Sequence, residues 1–559
     1  MNFGKTINSC RMCDSRELYT FLDLGFLPPA DKILKKEDLN SHEIYFPLKV
    51  AQCTGCGLTQ LMYVVNPELL YGETYSYESS ITETGKKHFF AMAASICEMF
   101  HLHNDFAVDI GSNVGVLLEG FKNNGLKVLG IDPAPRIVDI ANKRGIETWQ
   151  GFMNSSIAEK IAREKGKAKV ITATNVFAHI DDKRDLLASI KLFLDDYGVF
   201  VIEAPYLIDL LDNVEYDTIY LDHLEYLSVK PLTLFFQKQG LEVFHIEKYA
   251  IHGNSIRVFV SWKNRYRVQS SVQEFLDTEE KKGIYTKRVL DDFSQKVREH
   301  KDAFIDLIHQ LKKQRKKIVG ISAPAKGNTI LNYCKIHDYH LEYMTEKSKI
   351  KVGHFTPGMH IPIIEEENLI KDQVDYGIIF AWNFADEIMK NNQAFLEQGG
   401  KFIIPIPYPR IVDSNNNNVY NESAIEKKMD GELFGATIKK VDPVHIDERG
   451  IIADLVNEPL SHVGMISTEK DAIRGSHYHK NSRQHSYILS GTFEVVLAPY
   501  DNTSHQKKVL LHAGELITIP PFVIHQFKAI ERAVMINMET QSRAGTGYED
   551  DVFRVTLEN

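Results

Sequence analysis

The sequence predicts a multidomain protein of mixed α/β class that ends in an all-β domain. Two Cys-x-x-Cys pairs mark a small module at the N-terminus, and residues 85–262 and 317–409 alternate between helical and strand periods. From about residue 436 the pattern changes to short strands separated by glycine and proline turns, which is typical of an antiparallel barrel. The 559 residues suffice for about three or four domains.

These patterns also place the domain boundaries. We expect a metal-binding module over residues 1–70, an α/β domain over 71–265, a second α/β domain over 266–412 and the barrel over 436–559. Residues 413–435 contain four consecutive asparagines and are expected to form a linker.

The composition argues against several classes of partner. The chain has 65 Lys and Arg against 75 Asp and Glu, a net charge of −10, which argues against a nucleic-acid-binding surface. We expect no membrane association, because no signal peptide opens the chain and no apolar run is long enough to cross a bilayer. Reduced cysteines and the lack of targeting signals predict a cytoplasmic location.

Two thiol pairs near the N-terminus have the spacing of metal-binding knuckles. Each pair lies in turn-prone sequence, and four thiolates can close a tetrahedral shell around Zn²⁺ without an open position. Such a site stabilises a fold and does not catalyse. Two disulfides or free thiols are the alternative. The predicted ligands are Cys10, Cys13, Cys53 and Cys56.

The first α/β domain contains a glycine turn at the end of an apolar strand, over residues 107–115. Glycine lets the backbone approach a ligand at the carboxyl edge of a parallel sheet. An acid ends the next strand, where it can bind ribose hydroxyls, and this spacing favours S-adenosylmethionine (SAM) over a dinucleotide. An unliganded turn is the alternative. The expected cofactor contacts are Asp109, Gly111, Asn113, Gly115, Asp132, Asn175 and Phe177.

The C-terminal barrel carries histidines on its strands. His477 and His479 are two residues apart and therefore share the barrel interior, and His525 is expected on a facing strand. The pattern resembles the cupins. His485 stands where a metal-binding cupin usually has glutamate, and the four histidines could still hold Zn²⁺, Fe²⁺ or Ni²⁺. A metal-free structural cluster is the alternative.

Several further motifs accompany the cysteine module: Tyr75 to Ser80, Asp109 to Asn113, Asn175 to His179, Asp217 to His223, His252 to Arg257, Ala325 to Thr329 and Pro357 to Pro362. With these motifs, residues 1 to about 410 resemble the nucleotide-sugar C-methyltransferases that act at C-3′ of 4-keto-deoxysugars. The resemblance implies a zinc module, a central Rossmann-like SAM fold and a second Rossmann-like domain that helps to hold the substrate, an NDP-4-keto-deoxysugar.

The resemblance also implies roles for individual side chains. A base removes the proton from the carbon beside the ketone, and the resulting enolate displaces the methyl group of SAM. His223 is implied as this base, and Tyr220 lies close to the sugar. His179 hydrogen-bonds near the ketone, and Tyr77 closes over the substrate. Asp222 stands where the family usually has glutamate. A polar cluster within the core is the alternative for this motif.

Other side chains are implied to contact the nucleotide sugar. Lys326 lies in a glycine turn after a strand, which favours contact with the nucleotide phosphates over a plain surface position. Arg257 is equally suited to a structural ion pair. The expected substrate contacts in this part of the chain are Ser79, Lys326, Asn328, His360 and Arg257.

The barrel has a second, more specific resemblance. Arg474-Gly475-x-His477 is similar to the motif of the sugar-nucleotide cupins, the 3,5-epimerases and 3,4-ketoisomerases, which use a histidine base without metal. The resemblance implies His477 as base, with help from His479, and Arg474 as a contact to phosphate or sugar. Tyr487 or Tyr500 is the implied proton donor. Such cupins often pair, so a homodimer through the barrel is expected.

Together the halves predict a bifunctional nucleotide-sugar enzyme. One half adds a methyl group at C-3′ with SAM, and the barrel epimerises or isomerises a keto sugar. Both reactions use a carbanion beside a ketone. Two alternatives remain: a barrel that only binds sugar, binds metal or dimerises, and a methyltransferase that modifies oxygen or nitrogen of a small metabolite.

Overall fold

The computed structural model describes residues 3–71, 83–251, 253–414, 433–434, 436–441, 445–447, 450–452, 455–456, 459–541 and 551–555. It divides into two compact units, Met1–Asn418 and Val419–Asn559. The first unit contains the three α/β and cysteine-rich parts of the sequence, and the second contains the barrel. The predicted fold class, mixed α/β followed by an all-β domain, is confirmed. Within the described ranges, no helix is both long and apolar enough to cross a membrane.

The N-terminal module is a small antiparallel sheet. Its elements are β1 (Gly4–Thr6), β2 (Leu18–Leu27), β3 (Phe46–Cys53), β4 (Thr59–Leu61), β5 (Tyr63–Val65) and α1 (Pro67–Leu70). β1 pairs with β5, while β2, β3 and β4 form three strands of a second sheet. The fourth strand of that sheet comes from farther along the chain, because Glu225–Tyr226 pairs with Thr59 and Gln60 of β4. The module is therefore built into the unit and does not stand apart.

The central part is a seven-stranded sheet covered by helices. Its elements are α2 (Glu83–Met99), β6 (Phe106–Ile110), α3 (Val116–Asn123), β7 (Lys127–Asp132), α4 (Pro135–Lys143), β8 (Thr148–Gln150), α5 (Ser155–Glu164), β9 (Ala168–Thr174), α6 (Lys183–Phe193), β10 (Leu194–Pro205), α7 (Leu207–Asp212), β11 (Glu225–Tyr226), α8 (Val229–Lys238), β12 (Leu241–Tyr249) and β13 (Ser255–Trp262). The strand order is β12-β13-β10-β9-β6-β7-β8, and β13 runs antiparallel to both of its neighbours.

Apolar strands explain why this sheet lies in the middle of the unit. β6, β9 and β10 are buried on both faces, as expected for parallel strands that are covered by helices on both sides. Phe121 of α3 and Phe259 of β13 are fully buried in the same core cluster. Each such side chain contributes about 1.5–3 kcal/mol through its burial. The parallel arrangement brings the carboxyl ends of β6, β7, β9 and β10 to one edge of the sheet.

The second α/β part is a six-stranded sheet in the order β16-β15-β14-β17-β18-β19, in which only β19 is antiparallel to its neighbour. Its elements are α9 (Ser270–Lys282), α10 (Lys287–Lys313), β14 (Ile318–Ile321), α11 (Ala325–Cys334), β15 (Met344–Glu346), β16 (Ile363–Glu365), α12 (Asn368–Lys371), β17 (Tyr376–Ile379), α13 (Ala385–Asn391), α14 (Gln393–Glu397), β18 (Lys401–Ile404) and β19 (Arg410–Val412). Short 3₁₀ helices in the first unit span Lys36–Asn40, Phe177–His179, Tyr216–Thr218 and Trp382–Phe384.

The second unit consists of two five-stranded antiparallel sheets and a two-stranded pair. Its strands are β20 (Thr437–Lys440), β21 (His445–Asp447), β22 (Gly450–Ile452), β23 (His462–Thr468), β24 (Ile473–His479), β25 (Gln484–Ser490), β26 (Thr492–Pro499), β27 (Lys507–His512), β28 (Glu515–Ile519), β29 (Val523–Ala529), β30 (Ala533–Glu539) and β31 (Val552–Arg554). The sheet orders are β20-β28-β25-β30-β23 and β27-β26-β29-β24-β31. An apolar cluster that includes Phe493 and Phe527 packs between the sheets.

Candidate active site and metal centres

The four predicted zinc ligands come together. Each thiol offers a sulfur atom, and the four atoms lie within 4.8 Å of one another. The Cys10–Cys56 and Cys13–Cys53 sulfur atoms are 3.5 Å apart, far beyond the ~2.0 Å of a disulfide. A tetrahedral shell with Zn–S distances of ~2.3 Å separates its sulfur atoms by about 3.8 Å. These thiols therefore fit a closed zinc site, and the disulfide alternative is excluded for them.

The zinc module contacts both segments that carry the predicted catalytic histidines. Arg11, which lies inside the first Cys-x-x-Cys knuckle, is buried and donates from Nε to Asp181 at 2.9 Å. Asp181 is two residues beyond His179. On the other side, Glu225 of β11 follows His223 closely and pairs with β4 of the module. The module thus braces the two loops of the site from one side.

The predicted cofactor edge forms at the carboxyl ends of β6 and β7. Gly111 has φ 68°, and a Cβ there would lie 2.4 Å from Val176, so only glycine fits this turn. Gly115, with φ 81°, is the N-cap residue that immediately precedes α3. The Asp132 carboxylate accepts from the backbone N–H groups of Asn113 and Ala134 at 2.9 and 3.0 Å, which fixes the turn around the acid. This cradle fits SAM: lone pairs remain on both Asp132 oxygens for the ribose hydroxyls.

Two further residues predicted to contact the cofactor, Asp109 and Asn175, differ in their surroundings. Asp109 is buried and accepts a 2.6 Å hydrogen bond from Thr172, while burial raises its pKa to about 7. It ties β6 to β9 beneath the edge. Asn175, with φ 55°, lines a small cavity together with His179 and His223, and its role as a cofactor contact stays a prediction.

Phe177 requires a correction. Its side chain is fully buried, and its ring lies 6.3 Å from that of Phe200 and 6.1 Å from that of Phe236, measured between centroids. The ring is part of the core beneath the cavity and does not line it. The prediction that the Phe177 side chain contacts the cofactor is therefore wrong. The alternation along a short 3₁₀ helix could not be derived from sequence.

His179 and His223 are adjacent side chains in the lining of the same small cavity. Their ring centroids are 4.9 Å apart, and Tyr220 lies 3.9 Å from the His223 ring. The Nδ1 atom of His223 is 2.7 Å from the carbonyl oxygen of Thr218. Because a carbonyl only accepts, Nδ1 carries the hydrogen, and in the neutral ring the lone pair belongs to Nε2. The structure thus gives His223 the tautomer of a base.

His179 is held as a neutral ring. Burial lowers its pKa well below the usual range, and the neighbouring His223 and Lys183 act in the same direction. Its Nδ1 atom lies 3.1 Å from the hydroxyl of Tyr71, a residue that sequence reasoning missed. Asp222 is 6 % exposed, and burial raises its pKa to about 7. Tyr71 also hydrogen-bonds the Asp222 carboxyl group.

Two predicted substrate contacts are occupied by structural partners. Arg257 is 1 % exposed and donates from Nε and Nη2 to Glu203 at 2.9 and 2.7 Å. His88 also lies 2.6 Å from the other Glu203 oxygen. Burial opposes ionisation of Glu203, but His88 and Arg257 outweigh it and lower its pKa. Asn328 is buried and donates to the carbonyl of Ala30 at 2.6 Å. For both side chains the structure favours the structural alternative over a substrate contact.

Lys326 lies among acids and an indole ring. Its ammonium group is 4.3 Å from the centroid of Trp382. Burial lowers its pKa, while Asp217 and Glu215 oppose that shift, and burial raises the pKa of Glu215 to about 8. His360 pairs with Glu43 at 3.1 Å. Contact of Lys326 and His360 with the nucleotide stays a prediction. Tyr77 and Ser79 lie outside the described residues.

The barrel brings together three of the four histidines that were predicted as metal ligands. His477 lies opposite His525 on the antiparallel neighbour strand, with ring centroids 4.6 Å apart. His479 lies 5.0 Å from His477, and the ligand atoms of the three rings are within 4.8 Å of one another. Burial lowers the pKa of His525 well below the usual range, and the neighbouring His477 and His479 lower it further. His477 is the most accessible of the three.

His485 is not part of this cluster. Gln484, its neighbour on β25, reaches the Nε2 atom of His479 at 3.2 Å. Successive residues of a strand point to opposite faces, so His485 faces away and pairs with Thr518 at 2.9 Å. The prediction of a four-histidine metal shell is therefore wrong for His485. By the same alternation Tyr487 also faces away from the histidines.

Tyr500 and Arg474 lie outside the cluster as well. The Tyr500 ring is 5.5 Å from that of Tyr478, whose neighbours His477 and His479 point to the opposite face. The prediction that Tyr500 is a proton donor is therefore wrong. Arg474 is exposed, and its nearest described acceptor is the carbonyl of Ser467 at 3.4 Å. Its contact to phosphate or sugar stays a prediction.

Comparison with known proteins agrees with this geometry. Family models match residues 10–71 as a zinc binding domain, 101–246 as a methyltransferase domain, 250–407 as a C-methyltransferase C-terminal domain and 453–556 as a cupin. The C-methyltransferase NovU of Streptomyces niveus is 33 % identical over 414 residues, which are 74 % of this chain and 98 % of the relative. The chain belongs to the C-methyltransferase family. The predicted zinc module, methyltransferase fold, cupin and enzyme class are confirmed.

Other similarities of this C-methyltransferase-family chain are more distant. A ubiquinone biosynthesis O-methyltransferase of Cupriavidus pinatubonensis is 23 % identical over 153 residues, 24 % of this chain and 59 % of the relative. A 3,4-ketoisomerase from Helicobacter canadensis is 21 % identical over 22 % of this chain and 90 % of its own, with a TM-score of 0.19. The dTDP-4-dehydrorhamnose 3,5-epimerase from Sulfolobus tokodaii is 19 % identical over 22 % of this chain and 77 % of its own, with a TM-score of 0.19. Likeness at these TM-scores has no bearing on function.

Proposed function

We propose that the chain transfers the methyl group of SAM to C-3′ of an NDP-4-keto-deoxysugar through an enolate. The supporting observation is the pair of adjacent histidines that line one cavity, with His223 in the tautomer of a base. Methyl transfer to carbon needs a base beside the acceptor, whereas a hydroxyl acceptor needs no acidic carbon. Because a histidine base can also deprotonate a hydroxyl group, the carbon acceptor is favoured by the 33 % identity to a C-methyltransferase rather than by the histidine pair alone.

The cofactor edge would hold the ribose of SAM on Asp132. At the Gly111 turn, the protein backbone would approach the cofactor closely. When bound, SAM supplies a methyl group on a sulfonium, which is open to in-line displacement. The chain itself supplies alignment: β6, β7 and β9 end at the same edge, and Asn175 follows β9 directly into the cavity.

His223 takes the C-3′ proton on Nε2 in this proposal. The Thr218 carbonyl accepts from Nδ1 and stabilises the imidazolium that forms when Nε2 gains the proton. The tilted Tyr220 ring lies 3.9 Å from the same ring, measured between centroids, and limits its rotation. His179, which is neutral, lies where it can donate a hydrogen bond to the ketone oxygen as that oxygen gains negative charge.

The barrel has a second, isomerase-type function in this proposal. His477 removes a proton beside the ketone, because it is the most accessible ring of the three. The Nε2 atom of His479 lies 3.2 Å from the side-chain carbonyl oxygen of Gln484 and donates its hydrogen there, while Nδ1 makes no hydrogen bond among the described residues and lies 3.4 Å from an Asp551 oxygen. A divalent metal on His477, His479 and His525 is the second candidate, supported by their clustering.

One experiment tests both functions. The full chain is incubated with 4-keto-6-deoxy sugars carrying different nucleotides in D₂O, with and without SAM, and the products are analysed by mass spectrometry and NMR. We expect one added methyl on C-3′ with SAM. Because His223 can also exchange the C-3′ proton, the deuterium beside the ketone that is assigned to the barrel is the part that persists in His223→Asn and is lost in His477→Asn. A methyl on oxygen or nitrogen would replace the first proposal by O- or N-methylation. No SAM-dependent product with any keto sugar would overturn it.

Location and assembly complete the proposal. Six free thiols fit a reducing compartment, so the cytoplasm remains our expectation. The net charge of −10 gives no basis for a nucleic-acid partner. A homodimer through the barrel is expected, and light scattering coupled to size exclusion measures it directly.

A further inference from the structure

Tyr71 occupies an unassigned position between two residues of the site. Its hydroxyl is 3.1 Å from Nδ1 of His179, and the two rings lie nearly parallel at 17°, with centroids 6.4 Å apart. The same hydroxyl hydrogen-bonds the buried carboxyl group of Asp222. Tyr71 therefore links Asp222 to His179.

The number of hydrogens on this link restricts its arrangements. A phenol has one hydrogen to donate, and it can go either to Asp222 or to Nδ1 of His179. If Asp222 is ionised, Tyr71 donates to the carboxylate and Nδ1 of His179 must donate to the phenol oxygen. If Asp222 is protonated, it donates to Tyr71, Tyr71 donates to Nδ1, and the hydrogen of the neutral His179 ring moves to Nε2.

We propose that Tyr71 is a positioning residue which, together with Asp222, selects the ring nitrogen of His179 that carries the hydrogen. The inference rests on the methyl-transfer function proposed above. With the hydrogen on Nε2, His179 can donate to the ketone oxygen and stabilise the enolate. With the hydrogen on Nδ1, His179 presents only a lone pair to that oxygen and repels the developing charge.

The charges around Asp222 place the change near neutral pH. Burial raises its pKa to about 7, Asp31 acts in the same direction, and Tyr71 opposes both. Asp31 is itself next to Lys351. On the other side of Tyr71, His179 is influenced by His223 and Lys183. Below this pKa Asp222 is protonated and Nε2 of His179 carries the hydrogen, so the favourable arrangement is the acidic one.

Tyr71→Phe tests the proposal in the full chain loaded with zinc. Phenylalanine keeps the ring against His179 but removes the hydroxyl. We expect kcat for methyl transfer to fall about tenfold or more, KM to change less than twofold, and the decline of kcat above pH 7 to disappear. The matched control is Tyr19→Phe, which removes an exposed 2.6 Å hydrogen bond to Asp291 in the same unit. Wild-type kcat and pH profile in Tyr71→Phe would overturn the proposal.

Asp222→Asn provides the second variant. Its amide can donate to the Tyr71 oxygen at every pH, so the alkaline decline should again disappear. A decline that persists in Asp222→Asn contradicts the proposal. Ring ¹⁵N shifts of histidine-labelled protein, with His179 assigned by His179→Gln, report the tautomer without substrate. A His179 tautomer that does not change between pH 6 and pH 8 in the wild type also overturns the link, whatever the substrate is.

Discussion

The two histidine sites of this chain are built from different parts of the backbone. In the methyltransferase, His179 ends a short 3₁₀ helix and is fixed by the distant Tyr71, whereas His223 lies in a loop and is fixed by the Thr218 carbonyl, five residues before it. In the barrel, His477, His479 and His525 come from adjacent strands, and strand register alone places their rings within reach of one another. The first site depends on tertiary packing, and the second on local strand geometry.

This difference has a consequence for how each site can be altered. A loop-borne site is sensitive to residues that hold the loops, such as Arg11 and the β11 pairing with β4. A strand-borne site is sensitive to alternation, because a shift of one residue turns the side chain to the other face. We therefore expect remote substitutions to affect methyl transfer and to leave the barrel reaction unchanged.

The sharpest test of the first site is His223→Asn. We expect methyl transfer to fall by about 10²–10⁴-fold, because the base is lost. Deuterium incorporation by the barrel should not change. His103→Asn, an exposed histidine of the same unit, is the matched control. Retained methylation in His223→Asn would remove the proposed base.

The equivalent test of the barrel is His477→Asn. Deuterium incorporation should fall by about 10²–10⁴-fold while methyl transfer is unchanged. His485→Asn is a demanding control, since His485 lies nearby in sequence but faces away from the cluster. Activity that disappears with a chelator and returns with one divalent metal would instead establish the metal candidate.

Glu203→Gln tests the buried ion pairs of the methyltransferase domain. Glu203 is fully buried against Arg257 and His88, so we expect the free energy of unfolding of this unit to drop by about 3–5 kcal/mol, measured in urea. Folding lowers the pKa of Glu203. Its contribution is therefore complete above the unfolded pKa of about 4.3 and is lost as the pH falls through the folded value.

Glu119→Gln is the control for this prediction. The Glu119–Arg144 ion pair is about one-third exposed on both sides, so its loss should cost about 0–1 kcal/mol. Equal losses of stability in the two variants would show that the buried pair is no more important than an exposed one.

The smallest expected effect is that of Arg11→Met. The variant keeps the four cysteines and much of the buried volume but removes the 2.9 Å contact to Asp181. We expect kcat for methyl transfer to fall about threefold to tenfold, from weaker loop positioning. Zinc content, measured by atomic absorption, should remain one per chain. Loss of zinc would assign Arg11 to the metal site itself, and unchanged kcat would contradict the bracing role.

Spacing in the sequence was sufficient for some parts of the sites. The four thiols and the Gly111 turn were predicted correctly as groups, because a knuckle and a βα turn are local structures. The interior position of His477 and His479 followed from the two-residue strand period. The prediction for His485 was wrong because the bend between β24 and β25 decides which face of β25 points inward. The spacing of residues in the sequence does not encode that bend.

Long-range partners could not be found in this way. Tyr71 lies 108 residues from His179 along the chain, and Asp551 lies more than 70 residues from His479. Phe177 was assigned to the cofactor because it follows a strand end, yet packing against Phe200 turned it into the core. Contacts of this kind arise only when separate segments of the fold come together.

The pairing of β11 with β4 limits how this protein can be recombined with its relatives. A chimera that exchanges residues 1–70 replaces a strand partner of Glu225–Tyr226 along with the metal knuckles. Its backbone hydrogen bonds, side-chain volumes and charges must then match a foreign acceptor strand two residues from His223. Grafts that alter substrate range should therefore transfer residues 1–414 as one block.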